Sequence, residues 1–519
     1  MERKNVVNPI VFLRGEDHRE DKTELVETFY NHAKVCKELN LPCTFLMQYD
    51  VLTKPEYTDY FKKLNNPDFE AGVWIEMAQE QVEKCGIEWR GRPGMKWDWF
   101  VNPDMLMAYT LEEKKLLLDE LFNKFYEVFG YYPKSVGSWL VDSDSINYLK
   151  EKYDIKAACI CKEQVGTDGY TLWGGYYNQG YYPSKENLLC PAQTKEYQID
   201  VPVFRMLGCD PIKQYDCGMD ENFNSKSWQP VYTLEPMYQK NMVWSKWFYN
   251  CNFKEEGMSF SHTHVGQENS FVWRKCGHNA TEQYKIAAEG RDRNDWEVLT
   301  LGDTGEWFLN RFDSTPSTCF VGLKDEKCFD HDDLTKKRQS VWFNSKQFRA
   351  NIYSDINFLG LRDIFYFNEK VRDKYLDTPE TGNCAKYGNL PVIDGYRWGG
   401  NGTRAGIWVS DENGNILSGE IQKVEPLSED ALCVYTKVEN DIIKFICCSE
   451  YISVEFNNSN YCLKFQYTDS LETNISFDEN NIKYNHNGTD YIISTDSNIV
   501  SKDTYKLLKP VDNKITFKF

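Results

Sequence analysis

The sequence predicts an α/β barrel-type domain over residues 1–320, followed by a β-rich domain over residues 321–519. Strand-like and helix-like segments alternate from about residue 9 to residue 311, which is typical of parallel strands joined by helices. After about residue 320, short strand-like runs with Asn, Asp and Gly turns dominate. At 519 residues, the chain is also long enough for two or three domains.

The elements of the first domain follow in order along the chain. Short apolar runs predict strands at residues 9–13, 42–47, 71–77, 135–141, 155–161 and 296–301. Apolar residues at helical spacing predict helices at residues 22–39, 110–129, 143–153, 236–253, 281–288 and 304–311. The helix at 110–129 has the clearest ends, because Thr110 and Glu113 match a capping box and Gly130 follows.

The second domain is predicted to be an antiparallel β-sandwich. Asn413 and Gly414 form a turn signal between two strand-like runs. Residues 420–519 are almost wholly strand-like and rich in Ile, Tyr, Phe and Asn. The sequence has neither an internal repeat nor a low-complexity linker, so we expect the two domains to pack closely.

The net charge limits the classes of partner. The chain carries a formal charge of −19 at pH 7, and its pI is near 5.0. Nucleic acids and anionic membranes bind positive faces, so we expect neither partner. The amino-terminal residues resemble neither a signal peptide nor a membrane span. We therefore expect a cytoplasmic protein, or a secreted one if a leader has been removed.

Cysteine and aromatic residues are both numerous. The 17 cysteines are scattered and lack the paired spacing of a zinc site, so we interpret them as reduced thiols. The chain also has 15 Trp, 33 Tyr and 30 Phe, whose rings can stack on the C–H faces of sugars or fill cores and sheets. Rings beside candidate polar residues are therefore the ones that favour carbohydrate binding.

In folds with parallel strands, the chemistry lies at the carboxyl ends of the strands. Asp17 and His18 follow the first predicted strand, within the charged run 14–19. An acid and an imidazole at this position can bind a metal or transfer protons. The alternative is a salt-bridged loop that caps the next helix.

The third predicted strand ends on a carboxylate, Glu76. A buried Glu is costly unless it is paired or used in catalysis. Trp74 lies two residues earlier and points to the same side, which suits a sugar ring held against an acid. The alternative is a Glu76 side chain bonded to a neighbouring Arg14 or Arg19.

The fourth predicted strand leads into Trp139, Asp142 and Asp144. One of the two acids is expected to cap the helix that begins near Ser143, and the other is a candidate catalytic acid. We favour Asp142 for the site, with Trp139 as a stacking ring.

The loop after the fifth predicted strand, residues 163–177, combines acids, aromatic rings and glycines. Asp168 is its candidate catalytic acid, and Trp173 and Tyr176 are candidate sugar-binding rings. A long loop inside a domain is more often functional than not, although this one can also be purely structural.

Two of the 7 histidines, His262 and His264, lie two residues apart. On a strand, side chains at this spacing share a face, so both can reach one metal ion or one substrate. A lone histidine is usually structural, but the pair favours a site. Glu268 follows them and is a further candidate acid.

Several motifs are absent from the sequence. It contains no phosphate-binding P-loop, no H-E-x-x-H, no G-x-S-x-G and no dinucleotide-binding motif with a fitting acid. These absences argue against kinases, zincin proteases, ordinary esterases and most dehydrogenases.

Residues 8–300 resemble the glycoside hydrolase/deacetylase superfamily in the order of their elements. An acidic motif ends the first strand, Thr44, Phe45 and Leu46 follow a helix, and a segment that starts at Glu70 enters the third strand. The resemblance implies an irregular seven-stranded (β/α) barrel, of (β/α)7 type, followed by a β-sandwich.

The resemblance also bears on the reaction. By this alignment, the two metal-binding histidines of the polysaccharide deacetylases fall on Trp74 and Ala78, neither of which binds zinc. The family 57 and 38 glycosidases of the superfamily cleave glycosidic bonds with carboxylates. The resemblance therefore implies a glycosidase rather than a deacetylase with the usual zinc site.

Three functional hypotheses follow. The first is a glycoside hydrolase that acts on an oligo- or polysaccharide through paired carboxylates and requires no cofactor. The second is a metal-dependent carbohydrate deacetylase or hydrolase with a displaced site, in which a divalent ion binds Asp17, His18, His262 and His264. The third is a glycan-binding protein without catalysis. The sequence predicts neither the sugar, the linkage nor the oligomeric state.

The candidate residues form two sets. The candidate catalytic acids are Asp17, Glu76, Asp142, Asp168 and Glu268. The candidate substrate-binding residues are His18, Trp74, Trp139, Trp173, Tyr176, His262 and His264.

Overall fold

The structure is a computed structural model of the chain. It describes residues 3–167, 169–215, 232–253, 256–388, 392–395, 398–399, 403–467, 475–486, 488–502 and 504–519. Every cysteine in these ranges is a free thiol. No helix in the same ranges combines the length and the apolar character that a membrane crossing requires.

Strands and helices alternate over the first 311 residues. The strands are β1 (Lys4–Leu13), β2 (Cys43–Met47), β3 (Phe69–Trp74), β4 (Ser135–Gly137), β5 (Ala157–Cys161), β6 (Gln164–Thr167), β7 (Tyr170–Trp173), β8 (Gly180–Tyr181), β9 (Val203–Met206), β10 (Phe260–Val265) and β11 (Glu297–Val298). The α-helices are α1 (Lys22–Glu38), α2 (Tyr49–Leu52), α3 (Pro55–Leu64), α4 (Gln79–Lys84), α5 (Val101–Asp104), α6 (Leu111–Phe129), α7 (Ser143–Tyr153), α8 (Met242–Phe253), α9 (Trp273–Asp292) and α10 (Leu301–Arg311).

Seven parallel strands form a nearly closed barrel in the order β10–β1–β2–β3–β4–β5–β9. Side chains bridge the gap between β9 and β10. The backbone N–H of His262 donates to Gln179 Oε1 at 2.6 Å, and that of Leu207 donates to His264 Nδ1 at 3.2 Å. The predicted irregular (β/α) barrel is therefore confirmed.

Local sequence explains these elements. β1 is buried continuously from Val6 to Leu13, because its side chains face either the barrel interior or the surrounding helices. α6 begins at the predicted capping box, where Thr110 Oγ1 accepts from the Glu113 N–H at 3.3 Å. The helix ends at Gly130, whose φ of 78° is left-handed, a conformation that suits glycine.

Two helices differ from their predicted limits. α9 is longer than the predicted segment, because Asn279 and Gln283 occupy buried positions and interrupt the apolar pattern on which the prediction depends. α8 begins later than predicted, at Met242. The Asn241 side chain accepts from the Val243 and Trp244 N–H groups, which is the geometry of a helix N-cap.

The regular structure of the remaining described residues is mainly β-strand. The strands are β12 (Thr318–Gly322), β13 (Gln339–Asn344), β14 (Phe348–Ser354), β15 (Leu359–Tyr366), β16 (Ala385–Gly388), β17 (Ile393–Asp394), β18 (Gly406–Asp411), β19 (Glu420–Ser428), β20 (Ala431–Val438), β21 (Asp441–Cys448), β22 (Tyr451–Glu455), β23 (Tyr461–Gln466), β24 (Ile475–Phe477), β25 (Asn481–His486), β26 (Thr489–Thr495), β27 (Asn498–Ser501), β28 (Lys506–Lys509) and β29 (Lys514–Lys518). The described residues of this part also include a short α-helix, α11 (Lys374–Asp377), and a 3-10 helix (Leu334–Lys336).

Two antiparallel sheets form a sandwich-like region. One has the order β12–β13–β14–β15–β18–β23–β28–β27, with β17 beside β15. The other has the order β19–β20–β21–β22–β29–β26–β25–β24. Val409 and Phe465 of the first sheet share one apolar core with Val434 and Phe445 of the second. The predicted antiparallel sandwich is confirmed.

The two parts of the chain are in close contact. β16 extends the β6–β7 hairpin of the barrel part by pairing in parallel with β7. Arg349, which is fully buried in β14, forms ion pairs at 3.0 Å with both Glu163 and Asp363. The predicted domain boundary at residue 320 lies inside β12.

Candidate active site

A pocket of about 300 Å³ lies at the carboxyl ends of the barrel strands. Arg14 follows β1, Glu76 follows β3, Lys162 follows β5 and Glu268 follows β10. We call this cavity the barrel pocket. It is the position at which parallel α/β folds carry their chemistry.

A larger cavity of about 760 Å³ lies in the β-rich part, between Leu323 and Glu439. Its lining mixes charged and aliphatic side chains, and no aromatic residue of the described ranges lines it. Because the larger cavity lies away from the carboxyl ends of the barrel strands and its described lining lacks aromatic residues, we take the smaller barrel pocket as the candidate site.

Arg14 is the centre of the barrel pocket. Its Nε and Nη2 donate to the two carboxylate oxygens of Glu76 at 2.6 and 2.8 Å, and its Nη1 donates to Glu268 Oε2 at 2.8 Å. The guanidinium also lies 4.2 Å from the centre of the Trp97 ring. The alternative interpretation of Glu76, a carboxylate bonded to Arg14, is thus what the structure shows, and the pair lies inside the pocket.

Glu268 has the pKa of a general acid. Its pKa is raised to about 7: burial is the largest cause, Glu76 and Glu235 act in the same direction, and Arg14 and Arg19 oppose the shift. Protonated Glu268 therefore coexists with its ionised form near neutral pH. A carboxyl group with this pKa can donate a proton to a leaving group at physiological pH.

Asp104 is a second buried acid beside Glu76. Burial and the adjacent Glu76 raise the pKa of Asp104 well above its ordinary value. Trp97 Nε1 donates to Asp104 Oδ1 at 3.1 Å, which fixes both side chains against Arg14. The pocket therefore holds two acids with raised pKa values next to one carboxylate whose charge Arg14 balances.

Lys162 and Glu235 form an ion pair on another part of the pocket wall. Lys162 Nζ lies 3.8 Å from Glu235 Oε2, and both side chains are almost fully buried. Gln267 Nε2 donates to Glu235 Oε1 at 3.1 Å. Because Gln267 precedes Glu268, the ion pair is next to the candidate general acid.

Aromatic rings complete the pocket lining. The Arg19 guanidinium lies 5.4 Å from the centre of the Trp97 ring and 5.3 Å from the centre of the Trp99 ring. Both contacts are cation–π interactions. Further rings in the lining are Trp139, Tyr170, Tyr238 and Phe271. Trp99, Trp139, Tyr238 and Phe271 are at least partly exposed, and such rings beside buried polar groups suit a sugar, which has apolar C–H faces and hydroxyl edges.

Asp17 and His18 lie beside the pocket lining rather than in it. The Asp17 carboxylate accepts from Arg19 Nε at 2.9 Å and Nη2 at 2.6 Å, and these hydrogen bonds orient Arg19. His18 is exposed and stacks on Trp99, with the ring centres 4.8 Å apart. Both residues thus contact side chains that line the pocket.

Trp74 and Trp139 differ in their exposure to the pocket. Trp139 lines the pocket and is partly exposed, as a stacking ring must be. Trp74 is fully buried beneath it, with its ring centre 5.1 Å from that of Trp139 and 4.5 Å from that of Phe12. Trp74 therefore supports Trp139 from the core.

Asp142 lies outside the pocket lining. It caps α7 by accepting from the Ser145 N–H at 2.9 Å, and it forms an ion pair with Lys114 at 3.0 Å. Trp173 and Tyr176 are buried where the barrel meets the β-rich part: Trp173 Nε1 donates to Asp394 at 2.7 Å, and the Tyr176 hydroxyl donates to the Pro316 carbonyl. The predicted acid Asp168 lies outside the described residues.

The histidine pair closes the barrel. His262 Nε2 lies 2.9 Å from Asn8 Oδ1, and His264 bonds the Ile10 carbonyl and the Leu207 N–H. Burial lowers the pKa of both imidazoles to about 3, so both are neutral. The two side chains lie on the same face of β10, as the spacing predicts. They contact residues of neighbouring strands, and neither lines the barrel pocket.

The residues present do not fit the displaced metal site. Asp17, His18, His262 and His264 are all described, and no group of three or more His, Cys, Asp or Glu within the described ranges is arranged to hold a metal ion. Each of these four side chains instead makes the hydrogen bonds or ring contacts described above.

Sequence reasoning missed much of the pocket, namely Trp97, Trp99, Asp104, Lys162 and Glu235. A signal existed for the first two, since the run 97–100 reads Trp-Asp-Trp-Phe inside a long loop. Lys162 directly follows a predicted strand. Glu235 has no local signal, because it follows no predicted strand.

Comparison with known proteins identifies the fold. A family model for a domain of unknown function with a solved structure, DUF3863, matches residues 101–310. No curated protein matches the chain. A solved structure from Parabacteroides distasonis, provisionally described as a glycoside hydrolase/deacetylase, is similar with a TM-score of 0.55 and 14% sequence identity, and the match covers 76% of this chain and 91% of that chain.

Two further solved structures are similar with lower scores. One, from Mycobacterium smegmatis, is provisionally described as a polysaccharide deacetylase; it has a TM-score of 0.36 at 10% identity, over 59% of this chain and 91% of that chain. The other is a family 57 branching enzyme from Thermococcus kodakaraensis, with a TM-score of 0.31 at 10% identity, over 60% and 72%. The Parabacteroides structure confirms the predicted superfamily resemblance at the level of the fold.

Proposed function

We propose that the chain is a carbohydrate-active hydrolase that cleaves a glycosidic bond in the barrel pocket. One observation carries the proposal: a single buried guanidinium, Arg14, joins Glu76 to Glu268, and burial raises the pKa of Glu268 to about 7. Glycoside hydrolysis needs two carboxyl groups in different protonation states. The aromatic lining of the pocket supports a sugar as the ligand.

In this scheme Glu268 is the general acid. It protonates the glycosidic oxygen as the bond to the sugar breaks, which leaves Glu268 ionised beside Arg14. Glu76, with its charge balanced by Arg14, attacks the anomeric carbon or activates a water molecule. Asp104 in its protonated form adds no charge to the pocket.

The test is a turnover assay on the purified chain with nitrophenyl glycosides, methyl glycosides and oligosaccharides. We expect sugar release from at least one class, unchanged by exhaustive chelation of divalent ions. Glycan binding without turnover would contradict the proposal and favour the binding-only hypothesis. Turnover that is lost on chelation and restored by a divalent ion would favour the metal-dependent alternative.

The pH dependence of the rate should report Glu268. Because Glu268 acts in its protonated form, kcat/KM for methyl glycosides falls as pH rises through about 7. A substrate with a dinitrophenyl leaving group needs little protonation, so its rate should lack this limb. A methyl glycoside rate that stays level from pH 6 to pH 9 would exclude Glu268 as the acid.

Tyr238 offers a test of sugar stacking, because its ring is at the pocket rim and 36% exposed. We expect Tyr238→Ala to raise KM by about 3- to 10-fold with little change in kcat, since stacking stabilises the bound sugar before and during reaction. Tyr132→Ala, on an exposed ring outside the pocket lining, is the matched control. An unchanged KM in Tyr238→Ala would show that this ring does not contact the sugar.

A further inference from the structure

Lys162 is a buried ammonium group with unfilled hydrogen-bonding capacity. Its side chain is 1% exposed and lines the barrel pocket, and Nζ has no hydrogen-bond partner among the described residues. A hydrogen bond from N–H to oxygen needs about 2.7–3.2 Å, so the 3.8 Å to Glu235 Oε2 leaves a gap within this ion pair. Buried donors without acceptors are rare in native proteins, which indicates that another polar group belongs there.

Glu235 lies on the other side of this gap. The segment before it pairs with the end of β9, through a bridge between Thr233 and Cys209 and a hydrogen bond from the Leu234 N–H to the Gly208 carbonyl at 3.0 Å. Gln267 Nε2 donates to Glu235 Oε1, and Oε2 is the oxygen nearer to Lys162 Nζ. Donor and acceptor are therefore both buried in the wall of the pocket.

The charges of the pair select the chemistry of the ligand. A carboxylate or sulfate attracted by Lys162 would be repelled by Glu235, and a cation attracted by Glu235 would be repelled by Lys162. A hydroxyl group satisfies both residues, because it accepts from the Lys162 ammonium and donates to the Glu235 carboxylate. The pair thus fits an alcohol rather than an ion.

Aromatic rings stand beside this position and beside the general acid. The Tyr238 N–H donates to the Glu235 carbonyl at 3.0 Å, and the Phe271 N–H donates to the Glu268 carbonyl at 3.3 Å. Each acid is therefore followed, three residues later, by a ring that a turn brings back to the pocket. The two rings contact each other edge to face, with their centres 6.1 Å apart, and form one apolar platform.

We propose that Lys162 and Glu235 form a subsite that binds one hydroxyl group of a neutral sugar ring, next to Glu268. The inference rests on the proposed function for its view that a glycoside occupies the pocket. It goes further by making the substrate a neutral glycoside rather than a uronic acid or a sulfated sugar. A site built to bond a hydroxyl strongly rejects the analogue that lacks it, because the buried Lys162 Nζ then remains without its acceptor.

The experiment measures affinity rather than turnover. Calorimetry with the Glu268→Gln chain, which slows hydrolysis during the titration, compares the methyl glycosides of glucose, galactose, mannose, xylose and glucuronic acid. The best neutral ligand is then replaced by its monodeoxy analogues. We expect one analogue to bind about 10- to 100-fold more weakly. Lys162→Met should weaken the parent ligand by a similar factor and leave the affinity of that analogue unchanged.

Two further variants guard against a folding defect. Glu235→Gln keeps the shape of the side chain and should also weaken the parent ligand but not the critical analogue. Lys156→Met, at the opposite end of β5, should change neither affinity. Melting temperatures of all variants show whether the fold is intact.

The outcomes separate this inference from the proposed function. Tighter binding of the glucuronide, an equal effect of Lys162→Met on every analogue, or no binding of any methyl glycoside would overturn the hydroxyl subsite. The turnover assay decides the proposed function independently, since an active hydrolase that is indifferent to Lys162 would keep its function and lose the subsite.

Discussion

Glu268→Gln is expected to lower kcat/KM for methyl glycosides by about 10²- to 10⁴-fold, the usual contribution of a general acid. The amide keeps the shape of the carboxyl group, and its oxygen can still accept from Arg14 Nη1. The variant loses only the transferable proton. Its defect should therefore shrink as the leaving group improves, and a dinitrophenyl glycoside should be cleaved at a rate near that of the wild-type chain.

The control for this variant is Glu289→Gln, on an exposed carboxylate of α9. It should leave both substrates unaffected. If Glu268→Gln keeps the methyl glycoside rate within about threefold of the wild-type rate, Glu268 is not the acid, because proton transfer contributes more than this.

Glu268→Gln should also change how the free energy of unfolding depends on pH. Burial raises the pKa of Glu268 from 4.5 to about 7, so its protonated form stabilises the folded state below pH 4.5, and this contribution is lost as pH rises through 7. Over that interval the free energy of unfolding of the wild-type chain should fall, relative to the variant, by on the order of 3 kcal/mol. Urea unfolding of both chains at pH 5 and pH 8 measures the difference.

Arg14→Met is expected to give the largest loss of stability, about 3–5 kcal/mol near neutral pH. Arg14 is 3% exposed, and its removal leaves Glu76 and Glu268 buried without their cation. Methionine fills similar space, so lost packing accounts for little of the effect. Urea unfolding measures the loss, and Arg274→Met, in an exposed ion pair, is the matched control and should change little.

The origin of this loss can be tested by adding a second change. Glu76→Gln in the Arg14→Met chain removes an uncompensated charge and should recover part of the lost stability. The loss should also be smaller at pH 5 than at pH 8, because protonation of the buried acids removes the same charge. A loss that is equal at both pH values and unaffected by Glu76→Gln would point to packing rather than electrostatics.

The comparison between sequence and structure separates local signals from tertiary ones. Helix ends were predictable where a cap is encoded by neighbouring residues, as at Thr110 and Gly130. Asp142 shows the limit of such reasoning. An acid that follows a strand and precedes a helix fits both a catalytic role and a cap, and the Ser145 N–H that it bonds is a local partner.

The rule that chemistry lies at strand ends brought Glu76, Trp139 and Glu268 into one candidate list, and the structure brings all three to one pocket. The rule did not predict that Arg14 forms ion pairs with both Glu76 and Glu268, because the three residues are far apart along the chain. It also gave equal weight to His262 and His264, whose neutral imidazoles bridge strands of the barrel.

By itself the sequence determined the alternating strands and helices, the later antiparallel strands and the acids at the strand ends, because apolar periodicity and turn residues act over a few neighbouring positions. The irregular barrel was implied by the superfamily resemblance. Only the tertiary structure decided which of these acids share a pocket, which has a raised pKa, and that Asp104, Lys162 and Glu235 join them. Burial and charge pairing depend on residues far apart in the chain, such as Glu76 and Glu268 on either side of Arg14, and no local pattern encodes that proximity.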